Sequence, residues 1–162
     1  MGGGEGGKPR RAGLAFWPAM NENDLQRKNE DGMKTWIQFI SRLLISLIFL
    51  VSGFQKLLHF AQIEAAIAQH GLPMAKFCAA GVIFIEIVGG LALVLGLRAK
   101  SAALILAIYL VPTTIIFHGH ISDPAMLTQF LKNAAIIGGL LMVFAFGAGD
   151  ITLDKTLNIK GT

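Results

Sequence analysis

One long apolar segment with a single carboxylate near its middle constrains the fold of this chain more than any other feature. The segment Ala75–Leu97 has no charged residue between Lys76 and Arg98 except Glu86. At about 1.5 Å per residue, a helix of this length crosses the roughly 30 Å hydrocarbon core of a bilayer. Glu86 would then lie near the midplane, where an ionisable side chain is costly and normally faces other protein. The segment therefore predicts a transmembrane helix that needs polar partners from other helices.

The composition places the whole chain among integral membrane proteins. Hydrophobic residues make up 54% of the 162 residues and charged residues only 15%, whereas soluble domains carry about 45–50% apolar and about 25% charged residues. Four apolar blocks predict spans at about 36–58, 75–97, 101–117 and 130–146. Residues 59–73 are too short and too mixed to cross, and their spacing predicts a short interfacial helix. We therefore predict an all-α integral membrane protein, a four-transmembrane-helix bundle with a short interfacial helix between spans one and two.

Polar segments flank this membrane domain. Residues 1–35 are rich in glycine and in charge, which predicts a polar, largely disordered leader, and they carry no secretory signal pattern. Residues 36–149 form the predicted transmembrane domain, and residues 150–162 form a polar tail. The only cysteine, Cys78, excludes an intramolecular disulfide and a CxxC redox pair.

The distribution of basic residues predicts the orientation in the membrane. Most lysines and arginines lie in the two tails and in the turn Arg98–Lys100. Such residues concentrate in cytoplasmic segments, so the formal net charge of +4 indicates topology rather than nucleic-acid binding. Both termini are predicted to be cytoplasmic, and residues 59–73 and 118–128 are predicted to face the outer side.

Charged residues inside the spans form the first candidate site. One stripe of the first span carries, at helical spacing, Arg42, Ser46, Phe49, Gly53 and Lys56. Counted along the helix axes, Arg42 is the nearer cation to Glu86, which predicts a buried Arg42–Glu86 pair that compensates both charges. Two interpretations stay open. The pair locks the bundle, or Glu86 carries a proton or holds a ligand.

The outer ends of the spans form the second candidate site. The polar residues near these ends are Lys56, His118, His120, Lys132 and Asn133. Histidine exchanges a proton near neutral pH, so this mouth suits a quinone headgroup, or an anion between Lys56 and Lys132 with His118 as its proton partner. The alternative is that both lysines reach lipid phosphates and His118 faces water. No metal site is predicted, because His118 and His120 lack a nearby third ligand.

Short motifs also occur in a fixed order along the spans. They are Arg42, Ser52–Leu57, Gly71–Pro73, Glu86 with Gly89–Gly96, His118, Gly138–Leu141 and Gly147–Asp154. This ordered set resembles the DoxX family of small four-helix membrane proteins over about residues 36–154. The resemblance implies a bacterial inner-membrane protein linked to redox work. Relatives in that family include a subunit of a thiosulfate:quinone oxidoreductase and a partner in a complex that handles oxidative and thiol stress.

Two hypotheses of function follow. The first is a DoxX-like subunit of a quinone-linked or oxidative and thiol-stress redox complex, which anchors the complex and hosts a quinol site. Its catalytic candidates are Glu86 and His118, and its ligand-binding candidates are Arg42, Lys56, Glu86, His118, His120, Lys132 and Asn133. The alternative is a small-solute or anion carrier that uses Glu86 and the outer basic cluster.

The expected partners and cofactors follow from the first hypothesis. An autonomous enzyme is not expected, because the chain has no Gly-rich phosphate loop, nucleophile elbow or cysteine pair. No covalently bound cofactor is expected, and a quinone is the candidate cofactor. The candidate partners are the lipid bilayer, a soluble or membrane oxidoreductase, and a second copy of the chain. No nucleic-acid partner is expected.

The orientation can be tested by labelling with a membrane-impermeant maleimide. In a Cys78→Ala background, a single cysteine replacing Asp123 should react from outside the cell, whereas one replacing Asn158 should react only after lysis. The reverse pattern would contradict the predicted topology.

Overall fold

The computed structural model describes residues 21–119 and 122–157, and these residues form six helices and no strand. The helices are α1 (Glu22–Leu58), α2 (Phe60–Gln69), α3 (Ala75–Leu95), α4 (Ala99–His118), α5 (Pro124–Phe146) and α6 (Leu153–Thr156). Four of them, α1, α3, α4 and α5, are long and apolar enough to cross a membrane. The predicted all-α, four-span class is confirmed, and α2 occupies the segment predicted to be a short helix between spans one and two.

The first helix differs from the prediction, because it begins at Glu22 rather than Trp36. Asn21 caps it by accepting a hydrogen bond from the Asp24 backbone N–H at 2.8 Å, and Glu22 and Asp24 place negative charge in its first turn. Once the span has nucleated a helix, each further residue adds one hydrogen bond, so a polar extension is inexpensive. Residues 22–35, predicted to belong to a largely disordered leader, are therefore helical. Residues 1–20 and 158–162 lie outside the described part of the chain.

The four spanning helices follow a simple order around the bundle. Helix α1 packs along α3, α3 packs along α4, and α4 packs along α5, whereas α1 and α5 touch only loosely. Helix α2 lies against α3. We call the end that carries α2 and the α4–α5 connection the α2 end. The other end, with the α3–α4 turn and residues 147–157, is the tail end. The apolar core includes Leu93, Leu106 and Leu140, which are fully buried.

Glycines let α1 and α3 approach each other closely. A Cβ atom on Gly53 would lie 2.8 Å from Ile87 Cγ1 and 3.2 Å from Glu86 Cβ. On the facing helix, a Cβ atom on Gly90 would lie 2.9 Å from the Leu50 side chain. Glu86 thus lies at a close contact between α1 and α3. Four of the five residues on the predicted stripe of α1, Arg42, Ser46, Phe49 and Gly53, are its buried residues, so the stripe faces the bundle interior, while the Lys56 side chain is partly exposed.

The tight α1–α3 contact gives a stability prediction. Gly53→Ala should lower the free energy of unfolding by about 1–3 kcal/mol, because the added methyl overpacks the contact with Ile87. Gly81→Ala is the matched control, since a Cβ atom there would meet nothing within 4 Å. It should be neutral or gain up to about 1 kcal/mol from helix propensity. Thermal unfolding of both variants in detergent measures the difference, and equal stability of the two would contradict the packing argument.

Candidate functional site

A buried carboxylate and three polar side chains form the centre of the site. Glu86 is only 3% exposed, and its Oε1 accepts hydrogen bonds from Lys56 Nζ at 2.5 Å and from the Tyr109 hydroxyl at 2.7 Å. Lys56 Nζ also donates to Ser52 Oγ at 2.6 Å. Glu86 Oε2 is buried without a hydrogen-bond partner among the described residues. The carboxylate is therefore charge-compensated, yet one of its oxygens is free to accept a hydrogen bond.

The predicted Arg42–Glu86 pair is wrong, and side-chain direction explains why. In a helix, Cα–Cβ bonds tilt toward the N-terminus. Lys56 on α1 therefore leans into the bundle from the α2 end, and Glu86 on the antiparallel α3 leans toward it. Arg42 leans toward the tail end, away from Glu86. The prediction compared only the depths of the Cα atoms along the helix axes. It therefore ignored the directions of the side chains and the length of the lysine side chain.

Arg42 instead binds backbone carbonyls at the tail end. Its guanidinium donates to the carbonyl of Ala148 at 2.5 Å and of Ile151 at 2.7 Å, with a longer contact to Val94 at 3.4 Å. Arg42 is 1% exposed, so these carbonyls replace the water that a guanidinium would otherwise bind. Arg42 therefore fastens the segment after α5 to α1 and to the end of α3.

Two carboxylates of the C-terminal segment also hold this segment against the rest of the bundle. Asp154 accepts a hydrogen bond from the Arg98 backbone N–H at 2.7 Å, and Asp150 accepts one from the Thr35 hydroxyl at 3.1 Å. Asp150 also pairs with Lys155. The hydrogen bonds from Lys155 and Thr35 lower the pKa of Asp150 below its usual value. The motif Gly147–Asp154 therefore has a structural role at the tail end, far along α1 from Lys56.

Two cavities meet at Glu86. The α2-end cavity, about 310 Å³, lies between α2 and the parts of the four spanning helices nearest the α2 end. Its polar lining residues are Ser52, Lys56, Glu86, Tyr109, Thr113, His118, Lys132 and Asn133. The lateral groove, about 480 Å³, lies between α1 and α5. Glu86, Lys132 and Asn133 line both voids.

The structure brings most residues of the predicted outer mouth together around the α2-end cavity. Lys56, His118, Lys132 and Asn133 all line it, and His118 Nδ1 is buried without a hydrogen-bond partner among the described residues. Asn133 donates from its amide to the Thr114 hydroxyl at 3.0 Å. His120 lies outside the described residues. The negative group beside Lys56 is the Glu86 carboxylate itself, which the sequence argument placed with Arg42.

Sequence reasoning missed Tyr109. It is the only tyrosine of the chain and lies in the middle of the third span, whereas tyrosines of membrane proteins concentrate at the interfaces. A buried tyrosine hydroxyl usually finds a hydrogen-bond partner. Its unusual depth, close to that of Glu86, was the signal that could have identified it.

The geometry limits the chemistry that this site can perform. Among residues 21–119 and 122–157, no group of three or more metal-ligating side chains lies close enough to hold a metal ion. The α2-end cavity instead combines the free Oε2 of Glu86, the Nδ1 of His118 and the ammonium group of Lys132. This set can bind a small polar headgroup and exchange protons with it.

Double-mutant cycles should place the coupling energy on Lys56 and Glu86. Glu86→Gln alone leaves an ammonium without its counter-charge and should cost up to about 3–5 kcal/mol, less to the extent that Lys56 is exposed. The pair Lys56→Met with Glu86→Gln should lose less than the sum of the single losses. The control pair, Arg42→Met with Glu86→Gln, should be additive within about 0.5 kcal/mol. Unfolding in detergent measures both cycles, and coupling only in the Arg42 cycle would contradict the observed pairing.

Comparison with known proteins places the chain in a family. The inner membrane protein YqjF of Escherichia coli (strain K12) is 30% identical over 121 residues, which cover 75% of this chain and 92% of YqjF. The inner membrane protein YphA of the same organism is 30% identical over 122 residues, covering 72% of this chain and 86% of YphA. The ER-derived vesicles protein ERV29 of Saccharomyces cerevisiae is 26% identical over 141 residues, 84% of this chain but 38% of ERV29.

No solved structure gives a significant match to the chain. The DoxX family model matches residues 37–119, which include α1 from its membrane part, α2, α3 and α4. The matched region contains Lys56, Glu86 and Tyr109. With four helices able to span a bilayer, the chain is a multi-pass membrane protein that belongs to the DoxX family.

Proposed function

We propose that this protein is an inner-membrane subunit of a redox complex that binds a quinol at Glu86. The observation that carries the proposal is the free Glu86 Oε2, buried beside a cavity that other proton-exchanging groups line. A quinol hydroxyl is the type of donor that this oxygen lacks. The inner-membrane location rests on YqjF and YphA, and the redox role rests on the family resemblance of the motifs. Cytoplasmic termini remain part of the proposal.

The cavity has the size and the lining that a small headgroup requires. Its volume of about 310 Å³ falls at the lower end of the range for small-molecule sites, about 300–1,000 Å³. Apolar side chains such as Ile67, Val82 and Phe117 form the walls between the polar groups. A flat ring with two oxygens can therefore pack against apolar walls while its oxygens reach Glu86 on one side and Lys132 or His118 on the other.

The reaction balance requires a partner. Oxidation of a quinol to a quinone releases two electrons and two protons. Glu86 and the neutral imidazole of His118 can each accept one proton. The electrons must pass to a redox-active group on a partner oxidoreductase, because this chain has one cysteine and no cysteine pair. The chain therefore acts as the binding and anchoring subunit and not as an autonomous enzyme.

A carrier of small anions is the second candidate function. One observation favours it: Lys132 lines both voids and has no salt-bridge partner within residues 21–119 and 122–157. Against it, Glu86 neutralises Lys56, so the cavity is less cationic than the sequence predicts. The free carboxylate oxygen would also repel an anion.

Binding of a tail-free dimethoxy-methyl-benzoquinol to the purified protein in nanodiscs tests the first candidate. Glu86→Gln should weaken binding roughly 10–100-fold, because a hydrogen bond to a charged group contributes about 1.5–3 kcal/mol. Glu64→Gln, a carboxylate on α2 outside the cavity lining, is the matched control and should bind like the wild type. His118→Ala should weaken binding while leaving the Lys56–Glu86 pair intact.

The same preparation separates the two candidates. Failure of the wild-type protein to bind the quinol would overturn the first. Uptake of radiolabelled sulfate into proteoliposomes, abolished by Lys132→Met, would support the carrier instead.

A further inference from the structure

The lateral groove between α1 and α5 opens the buried site toward the bilayer. These helices are neighbours in the bundle but touch only loosely, unlike α1 with α3 or α4 with α5. The walls of the groove are apolar and include Leu44, Leu47 and Ile136. Leu44 and Leu47 are 63% and 54% exposed, and in a spanning helix such exposure means contact with lipid.

The floor of this groove is polar, which a surface that only meets lipid does not need. Glu86, Lys132 and Asn133 line the groove as well as the α2-end cavity, so the two voids meet at the carboxylate. Polar groups at this depth are costly unless they have partners. Glu86 Oε2 has none among the described residues. A plain acyl chain in the groove would leave this oxygen unsatisfied.

A second depression on the same helix provides an internal comparison. It lies between α1 and α3, has a similar volume of about 490 Å³, and its lining includes Leu50, Phe54 and Leu91. None of Glu86, Lys132 or Asn133 lines it. The polar floor is therefore a property of the α1–α5 groove and not of every surface depression of this bundle.

We propose that the lateral groove holds the apolar tail of a lipid-soluble quinol whose headgroup binds at Glu86, so that the site is loaded from the bilayer. This inference rests on the proposed quinol site and adds the class of ligand and its route. A phospholipid fits less well, because its phosphate would lie near the membrane midplane beside a carboxylate. A water-soluble solute would make no use of the apolar walls.

The test compares two quinols that share one headgroup, one tail-free and one with a decyl tail, on the protein in phosphatidylcholine nanodiscs. Leu47→Trp narrows the groove and should weaken binding of the decyl quinol about tenfold or more, while the tail-free quinol binds as to the wild type. Ile108→Trp is the matched control. Ile108 is 64% exposed on α4 and lines neither void, so both quinols should bind this variant normally.

Photolabelling of the wild-type protein provides evidence that does not depend on a variant folding. A decyl quinol with a diazirine at the end of its tail should label Leu44, Leu47 or Ile136, and not Leu50 or Leu91. Excess tail-free quinol should reduce the labelling, whereas excess phosphatidylcholine should not.

The outcomes separate the two proposals. If the tail-free quinol binds through Glu86 but Leu47→Trp and the labelling pattern show no role for the groove, the lateral route is overturned and the quinol site stands. If phosphatidylcholine competes for the label, the groove holds an ordinary lipid and the inference fails. If neither quinol binds the wild type, the proposed function and this inference fail together.

Discussion

The structure depends on how one buried carboxylate is compensated inside a membrane. Lys56 and Tyr109 donate to the same oxygen of Glu86, which joins α1, α3 and α4 at one point. Gly53 lets α1 approach the Glu86 Cβ and the Ile87 backbone nitrogen closely. A buried ion pair adds little net stability compared with apolar packing. The pair leaves the second carboxylate oxygen of Glu86 without a hydrogen-bond partner among the described residues, and the proposed quinol site rests on this free oxygen.

The two cations of the first span have separate roles. Lys56, near the α2 end of α1, forms the ion pair with the Glu86 carboxylate. Arg42 binds the carbonyls of Ala148 and Ile151 in the segment after α5, and it also contacts the carbonyl of Val94 in the last turn of α3, where helix carbonyls have no intrahelical partner. One stripe of α1 thus carries both Lys56, which pairs with Glu86 in the candidate site, and Arg42, which holds the segment after α5 against the bundle. The contacts of the motif Gly147–Asp154 with Arg42 and with the Arg98 backbone give the motif a structural role. From the sequence alone, the motif could only be matched to a family.

Hydrophobic periodicity was enough to predict the four spans, the short α2 and the inward stripe of α1, because burial in lipid and in the core leaves a strong pattern. The partner of Glu86 could not be predicted from depth along the axis, since the tilt of Lys56 and Arg42 side chains decides which one reaches it. Tyr109 was missed because its role appears only when α4 is placed beside α3. Residues 22–35 were misjudged because polar composition says little about a helix that a neighbouring span has already nucleated.

The continuity of α1 has a mechanical consequence. Its 37 residues extend about 55 Å at 1.5 Å per residue, more than a bilayer core of about 30 Å. One rod therefore carries the polar segment outside the membrane, the Arg42 clamp, one wall of the groove and the lysine at Glu86. A tilt of the projecting segment would therefore also displace the α1 residues that line the groove and the lysine of the ion pair. Because α3 holds α1 tightly and α5 holds it only loosely, the α1–α5 side, where the groove lies, is the side on which such a movement meets the least packing.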